Sequence, residues 1–271
     1  MIIIGEKINA TIPSIRDAVI AHDGETLRNL AISQMGAGAD IIDVNVGTGE
    51  GSRGDERRDM EWLAGILTAE DVGAGLCIDS ADPAVLDAGL RAGGKKVALI
   101  NSVKATDRNM NEVLPLAAEY GVPVVALAMD EKGIPKETAG RLRACEKILK
   151  KAVSFGVGAE KIFFDPLVLP ISTDVSQGRT TLETLREIRT ISRDAKTVLA
   201  LSNVSFGLPK RAIINTALLH MAMLSGVDAA IVNPLDHAVM SAVRAGEAVL
   251  GRDRHCRKYL RAMRRGSQKG N

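Results

Sequence analysis

Short, largely apolar runs rich in Val, Ile and Leu recur along the chain. Eight such runs are found, at residues 2–4, 40–46, 75–79, 97–100, 122–128, 161–165, 197–201 and 228–232. Each run has the length of a strand, and its apolar residues are continuous rather than alternating with polar ones. That pattern is typical of parallel strands that are buried on both faces. We therefore interpret the runs as eight buried parallel strands.

The segments between the runs have the spacing of helices. Apolar residues recur on one helical face in two clear cases: Leu27, Leu30, Ala31 and Met35, and then Leu182, Leu185, Ile188 and Ile191. The runs begin about 22 to 39 residues apart, which leaves room for one crossover helix each. Eight strand–helix units close into a barrel. The sequence predicts an α/β fold, a single (β/α)8 TIM barrel over residues 1–260, with a basic C-terminal tail at 261–271.

Composition and cysteine usage are compatible with one soluble domain. The chain has 271 residues, of which 46% are hydrophobic and 25% charged, as in ordinary globular proteins. Cys77, Cys145 and Cys256 are scattered, which argues against a disulfide framework or a structural zinc site. No basic leader precedes the apolar start at 1–4, and no run approaches the roughly 20 residues of a membrane span. We expect a cytoplasmic protein with no membrane partner.

The charge is concentrated at one end of the chain. Residues 252–271 hold eight Lys or Arg residues against one acid, which gives +7, while the rest of the chain carries −5. Such a segment suits either a solvated helix and tail or docking to an acidic partner. No aromatic platform interleaves with the basic residues, so we expect no nucleic-acid partner.

Every predicted strand ends in a polar residue of the same kind. In chain order these are Glu6 and Asn9, Asp43 and Asn45, Asp79, Asn101, Asp130, Asp165, Asn203, and Asn233. Taken singly, each suits a helix cap or a turn equally well. The active sites of such barrels are built at the C-terminal ends of the strands, where these residues converge. The sequence therefore predicts a polar pocket in the barrel mouth.

A pocket lined by carboxylates and carboxamides suits a flat ligand with several hydrogen-bonding groups. The amino-pyrimidinone edge of a pterin presents two parallel N–H donors, which a carboxylate accepts in pairs. Asp79 and Asp165 are the candidates for that edge. Asn101 and Asn203 are the candidates for the carbonyl oxygen and ring nitrogens.

Six spaced motifs carry a family resemblance. They are Gly5-Glu6-Lys7-Ile8-Asn9, Asp43-Val44-Asn45-Val46-Gly47, Cys77-Ile78-Asp79-Ser80, Ile100-Asn101-Ser102, Asp165-Pro166-Leu167 and Leu201-Ser202-Asn203-Val204-Ser205. Together, over about residues 1 to 260, they resemble the pterin-binding methyltransferases. Within that group the chain is most similar to the methyltetrahydrofolate:corrinoid protein methyltransferase family.

The resemblance implies a homodimeric barrel that holds tetrahydrofolate or 5-methyltetrahydrofolate in its mouth. It implies no metal bound by the chain, because the corrinoid (cobalamin) arrives on a separate partner protein. Asp79, Asn101 and Asp165 match positions that hydrogen-bond the pterin, and Asn203 matches one near the methylated nitrogen. The other mouth residues are expected to take part as follows: Glu6 and Asn9 in substrate binding, and Asp43 and Asn45 in catalysis.

The expected chemistry does not require a strong side-chain nucleophile. A methyl group on a tertiary amine is displaced only if the departing nitrogen is protonated or hydrogen-bonded. Asn203 is expected to donate a hydrogen bond that strengthens in the transition state. A network through Asp43, Asn45 or water is expected to deliver the proton, and the reduced corrinoid is the nucleophile. Transfer in either direction is compatible with these residues.

Three alternatives remain at the level of sequence. Dihydropteroate synthase shares the barrel and pocket but brings a lysine just after the seventh strand, where this chain has Ser202-Asn203-Val204-Ser205 and reaches Lys210 only later. Zinc-dependent methyl transfer to a thiol needs clustered Cys or His ligands. A non-catalytic barrel that serves as a scaffold or binding subunit for a corrinoid protein has no use for a buried polar mouth, but pterin binding without turnover would favour it. Phe206 is one departure, because related methyltransferases have more polar residues there, and we expect it to alter the substrate wall.

Overall fold

The computed structural model describes residues 1–48, 53–69 and 73–267. Within these residues eight parallel strands form a closed barrel in sequence order, and the last strand pairs with the first. The strands are β1 (Ile2–Asn9), β2 (Ile41–Asn45), β3 (Gly75–Asp79), β4 (Val97–Lys104), β5 (Val124–Leu127), β6 (Ile162–Asp165), β7 (Lys196–Ala200) and β8 (Ala229–Val232). The predicted (β/α)8 barrel is confirmed.

Helices follow every strand and surround the barrel. They are α1 (Pro13–Ile20), α2 (Gly24–Ala37), α3 (Arg53–Ala69), α4 (Pro83–Gly93), α5 (Asp107–Tyr120), α6 (Thr138–Ser154), α7 (Gln177–Ile191), α8 (Arg211–Leu224), α9 (His237–Val249) and α10 (Arg257–Ser267). The expected start of the basic tail at residue 261 falls inside α10, and residues 268–271 of that tail lie outside the described residues. None of the helices in the described ranges combines the length and apolar character needed to cross a membrane.

Side-chain caps fix where the helices that border the mouth begin. Asp82 accepts a hydrogen bond from the first turn of α4, and Pro83 occupies the position where a missing N–H is harmless. The sequence Asp82-Pro83 predicts this start, and residues 109–112 predict the start of α5 at Asn109. The first start is confirmed. Helix α5 instead begins at Asp107, because the Thr106 hydroxyl accepts the backbone N–H of Asn109 and closes the first turn.

The barrel interior is filled by a separate apolar cluster. Its buried members are Ile4, Cys77, Leu99, Val125, Phe163, Val198, Ala229 and Ile231. A larger cluster lies between the strands and the surrounding helices. Because both faces of the strands are packed, the runs are nearly continuous in hydrophobic residues.

Four strand ends differ from the predicted ones. The fourth strand extends to Lys104, so Asn101 lies within it rather than after it. The first strand extends through Glu6 to Asn9, so both side chains lie within it rather than after it. The seventh ends at Ala200 and is followed by a 3-10 helix at Leu201–Ser205. The fifth ends at Leu127, so that Asp130 closes a turn beyond the strand, where its side chain accepts the backbone N–H of Lys132.

Candidate active site

The polar residues of the mouth lie on the same inward face as the interior cluster. Successive side chains of a strand point to opposite faces, so residues two apart share one face. The apolar residue inside the barrel is followed two positions later by a polar one on five strands: Ile2-Ile4-Glu6, Ile41-Asp43, Cys77-Asp79, Leu99-Asn101 and Phe163-Asp165. The strands therefore present a polar layer directly above the apolar one.

Four polar residues of the mouth form two hydrogen-bonded pairs. Asn45 Nδ2 donates to Asp79 Oδ2 at 2.9 Å, and Asn45 Oδ1 accepts the backbone N–H of Gly47 at 2.9 Å. Asn101 Nδ2 donates to Asp43 Oδ1 at 3.4 Å, a long contact. Asp79 and Asn101 are direct partners in the pairing of β3 with β4. The structure thus brings Asp43, Asn45, Asp79 and Asn101 together.

Burial makes Asp43 and Asp79 unusually weak acids. Loss of hydration raises the pKa of Asp43 well above its usual value, and the nearby charge of Asp79 raises it further. Burial also raises the pKa of Asp79, to about 6, against the opposing hydrogen bond from Asn45. The pair therefore binds a proton more readily than exposed carboxyl groups do, and Asp43, which is only 4% exposed, is the site that burial favours for it.

Asp165 is the third buried carboxyl group of the mouth. Its Oδ1 accepts the backbone N–H of Leu167 at 2.8 Å. Burial raises the pKa of Asp165 to about 6, although this hydrogen bond and the positive charge of Arg141 both oppose the shift. Asp165 is therefore mostly ionised at neutral pH, and it becomes protonated in mildly acidic solution.

Arg141 supports the mouth from α6, and the sequence analysis missed it. The fully buried guanidinium donates to the carbonyl oxygens of Pro166 and Leu167 at 2.8 and 2.9 Å, and to Gln177 Oε1 at 2.6 Å. It therefore fixes the loop that begins at Asp165. The available signal was an arginine on the apolar side of a helix.

The remaining predicted residues lie on the other side of the mouth. The Ser202 hydroxyl donates to Glu6 Oε1 at 2.6 Å, and burial raises the pKa of Glu6. Asn9 Oδ1 accepts both the backbone N–H and the hydroxyl of Thr11, at 2.9 and 2.7 Å. Asn203 is exposed, and its side chain has no hydrogen-bond partner in the part of the chain that the structure describes. It is not bonded to the group around Asp43.

Two cavities open beside the mouth. One, of about 960 Å³, lies beyond β2, β3 and β4, and Asn45, Ser80 and Lys104 are among its lining residues. The other, of about 540 Å³, lies beside β1, β7 and β8, and Glu6 and Ser202 are among its lining residues. Predicted site residues therefore border both cavities.

Two irregular segments that directly follow predicted strands in the sequence, 47–56 and 166–180, are candidate active-site loops, and the structure defines them only in part. The glycine-rich loop expected at 47–56 includes residues 49–52, which lie outside the described residues. The loop expected at 166–180 ends at Ser176, because α7 begins at Gln177. Phe206 is 66% exposed, so it does not form a buried substrate wall. Its exposed ring lies instead in the loop that follows the 3-10 helix.

Cysteine and metal chemistry find little support in the described residues. Cys77 and Cys145 are buried and Cys256 is exposed, each as a free thiol. Burial and the neighbouring carboxyl groups raise the pKa of Cys77 well above its usual value, which keeps it a neutral thiol. Across residues 1–48, 53–69 and 73–267, no group of three or more His, Cys, Asp or Glu side chains is placed to hold a metal ion.

Comparison with known sequences gives a family and two kinds of relative. The family model described as "Pterin binding enzyme" matches residues 5–233. The methylcorrinoid:tetrahydrofolate methyltransferase of Eubacterium limosum is 36% identical over 268 residues, which cover 98% of this chain and 97% of that protein. The methionine synthase of Mycobacterium tuberculosis is 33% identical over 246 residues, which cover 86% of this chain. The match spans about a fifth of that longer enzyme (20%).

Solved structures with the same fold include dihydropteroate synthases. The enzyme of Xanthomonas albilineans in complex with 7,8-dihydropteroate has a TM-score of 0.74 at 20% identity, with 92% of this chain and 93% of that chain covered. A Yersinia pestis enzyme with a sulfonamide drug has a TM-score of 0.72 at 18% identity, with 92% and 94% covered. At these identities the likeness shows a shared barrel fold and nothing more.

Proposed function

Since the chain belongs to the family of pterin-binding enzymes, we propose that it is a methyltransferase acting between tetrahydrofolate and a corrinoid carried by a partner protein. The observation that carries this proposal is the layer of carboxyl and carboxamide groups in the barrel mouth. The relative from Eubacterium limosum supports it, because the match covers nearly the full length of both chains. This role belongs to one-carbon metabolism.

The mouth supplies the groups that a pterin requires. Asp79 and Asp165, both with a pKa of about 6, are ionised above that pH and then accept the N–H donors of the amino-pyrimidinone edge. Asn101 serves the carbonyl oxygen and ring nitrogens, because its carboxamide both donates and accepts. Its long contact to Asp43 leaves it free to turn towards the ligand. Glu6 and Asn9 complete the substrate-binding set.

We assign the physiological direction as methylated corrinoid to tetrahydrofolate, following the reaction named for the full-length relative. N5 of tetrahydrofolate attacks the methyl carbon, the N–C bond forms, and the carbon–cobalt bond breaks with its electron pair left on the corrinoid. N5 then gives up its proton. The exposed and unbonded carboxamide of Asn203 accepts from N5–H in this direction and donates to N5 in the reverse one.

Asp43 and Asn45 take part in the transfer of the N5 proton, Asp43 directly and Asn45 by orienting Asp79. Burial raises the pKa of Asp43 well above its usual value, which makes its carboxylate a stronger base than an exposed one. Through water it can take the proton that N5 releases in this direction and return it in the reverse one. Asn45 keeps Asp79 oriented through its 2.9 Å hydrogen bond. The chemistry needs no metal bound by this chain, because the cobalt belongs to the corrinoid substrate.

The proposal includes a homodimer. Helix α8 carries an exposed apolar stripe at helical spacing, formed by Ile213, Met221 and Leu224, which are 65%, 53% and 70% exposed. A second copy of the chain would cover it. Sedimentation of the purified protein should give a dimer, and a charged substitution such as Met221→Glu should give monomers.

The cytoplasmic location remains a prediction, supported by three free thiols.

Dihydropteroate synthesis is the weaker candidate. The 3-10 helix after β7 contains no lysine, and Lys210 follows after the loop that contains Phe206. Only turnover distinguishes a non-catalytic pterin-binding subunit from the enzyme, because both bind the pterin. Both alternatives are therefore outcomes of the experiment.

The first test is calorimetric titration with tetrahydrofolate and 5-methyltetrahydrofolate, followed by spectroscopy of free cobalamin in both directions. Binding together with methyl transfer supports the proposal, and the faster direction tests the assignment. Asn203→Ala should slow transfer and keep pterin affinity within about tenfold, because its bond strengthens in the transition state. Binding without transfer, with cognate corrinoid protein present, would leave the binding-subunit alternative. Absence of pterin binding would overturn the assignment.

A further inference from the structure

The cavity beside β1, β7 and β8 contains a buried amide group without a partner. Asn215 lies on α8, is 7% exposed and lines this cavity of about 540 Å³. Its Oδ1 has no hydrogen-bond partner among the described residues. A polar atom that is buried without a partner costs stability, so Asn215 Oδ1 is suited to accept a hydrogen bond from a molecule that enters the cavity.

The other polar groups of the cavity are mainly donors. The Oδ1 atoms of Asn9 and Asn233 already accept backbone N–H groups, from Thr11 and Leu235, at 2.9 and 3.0 Å. Their NH2 groups have no partner in the described part of the chain, and neither has the ammonium group of Lys7. The cavity therefore offers an acceptor without a partner at Asn215, the carboxyl oxygens of Glu6 and Asp236, and several donors around them.

The formal charges of the cavity favour a neutral ligand. Lys7 and Arg211 supply positive charge, and Glu6 and Asp236 oppose it. Asp236 also caps α9 by accepting two of its backbone N–H groups, which leaves no open helix N-terminus for an anion. A phosphate or carboxylate would gain little net attraction here.

A primary carboxamide fits this arrangement. Its NH2 group donates to the free Oδ1 of Asn215, and its carbonyl oxygen accepts from Asn233 or Lys7. The rim of a corrin ring carries acetamide and propionamide side chains. We propose that the cavity receives one of these carboxamides when the corrinoid docks for methyl transfer. This inference rests on the proposed function and adds a recognition site for the corrinoid itself.

The position of the cavity agrees with this docking. Ser202 lines it and directly precedes Asn203, the residue assigned to the reacting nitrogen. Two exposed apolar side chains lie a few residues beyond lining residues of the cavity: Phe206, after Ser202, is 66% exposed, and Leu235, after Asn233, is 44% exposed. We expect a flat macrocycle that brings its cobalt-bound methyl group to the nitrogen near Asn203 to pack against these side chains and bring its rim over the cavity.

The test is Asn215→Leu, assayed with free methylcobalamin and tetrahydrofolate. The KM for methylcobalamin should rise about three- to tenfold, the effect of one lost hydrogen bond, while kcat and the Kd for tetrahydrofolate stay unchanged. The melting temperature should hold or rise, because the substitution removes an unpaired buried group. Asn215→Ala serves as a second variant that introduces no new bulk.

Asn109→Leu is the matched control. Asn109 is equally buried, at 9% exposed, and lies on a helix, but its Oδ1 accepts the backbone N–H of Lys104 at 2.8 Å. This variant should lower the melting temperature and leave the KM for methylcobalamin unchanged. Comparison of Asn215→Leu with Asn109→Leu distinguishes the loss of ligand recognition from the loss of a buried amide.

The corrinoid side offers an independent test on the unaltered protein. Methylcobalamin whose rim carboxamides are hydrolysed to carboxylates should show the same rise in KM on the wild type and no further rise on Asn215→Leu. If transfer proceeds and neither change alters the KM, the cavity does not bind the corrin. If the wild type fails to bind tetrahydrofolate, the proposed function itself fails, so the two failures are distinguishable.

Discussion

The lower interior of the barrel and its mouth are built from the same strands, yet their energetics are opposite. Leu99 and Phe163 pack in a buried apolar layer, and two residues later Asn101 and Asp165 form part of a polar one. The lower layer stabilises the fold through burial of apolar surface. The upper layer holds carboxyl groups whose pKa values are raised because they have lost hydration. On each of these strands, two residues thus separate a side chain that stabilises the core from one that is available for chemistry.

The comparison indicates where stability is given up for function. A buried carboxylate with few partners is costly, and proteins commonly retain such groups at functional sites. Substitutions in the two layers should therefore change the free energy of unfolding with opposite signs. Truncation of an apolar side chain in the lower layer should decrease it, and replacement of a carboxyl group in the upper layer by a neutral group should increase it.

Phe163→Ala should produce the largest effect. Removal of a buried aromatic ring from the lower layer leaves a cavity and is expected to lower the free energy of unfolding by about 3 to 5 kcal/mol. Urea denaturation followed by circular dichroism would measure it. The exposed Phe206→Ala is the control and should change stability little. A loss below about 1 kcal/mol for Phe163→Ala would contradict the assignment of the lower layer as the stabilising one.

Asp165→Asn should act in the opposite direction. The pKa of Asp165 is about 6 in the fold against 3.8 as the reference, so the folded state favours the protonated form. Its penalty appears as pH rises from about 4 to 6 and is complete above 6, at up to about 3 kcal/mol. The amide carries no charge and keeps the oxygen that accepts from Leu167. Urea unfolding at pH 8 should therefore show a gain in stability, accompanied by weaker pterin binding.

Asp174→Asn is the matched control for the predicted gain in stability of Asp165→Asn. Asp174 is an exposed carboxylate whose pKa is lowered by hydrogen bonds from Ser176, so the substitution should bring no gain. Equal stability changes at Asp165 and Asp174 at pH 8 would mean that burial does not destabilise the mouth carboxylate.

The smallest expected effect is the pH dependence of pterin binding. Asp79 and Asp165 accept N–H groups only when ionised, and both have a pKa of about 6. The Kd for tetrahydrofolate should be flat above pH 7 and rise below 6, by up to about tenfold per pH unit for each protonated group. Calorimetry of the wild type and of Asp165→Asn would measure this. The variant should show the shallower slope, and a pH-independent Kd in the wild type would exclude both carboxylates as acceptors.

Much of this molecule was determined by the local pattern of its sequence. Continuous apolar runs predict strands packed on both faces, and their spacing leaves room for one helix each, so the barrel was predictable. The polar residues at the strand ends were predictable for the same reason: parallel strands in one barrel bring their C-terminal ends to one mouth. The cap at Asp82 was equally local, because it depends on only the next few residues.

What the sequence could not determine are the partners across the mouth. Asn45 meets Asp79 from 34 residues away, and Asn101 meets Asp43 from 58. The position of Asn203 depended on where the seventh strand gave way to a 3-10 helix. These pairings follow from register and strand ends, which a linear pattern leaves open to within a residue or two.

Burial of polar groups was likewise decided only by tertiary structure. Arg141 and Asn215 are ordinary helix residues in the sequence, and only packing shows that one holds the loop after β6 and the other faces a cavity without a partner. The raised pKa of Asp43 has the same origin. Loss of hydration depends on every neighbour in space, and most of those neighbours are distant in the chain.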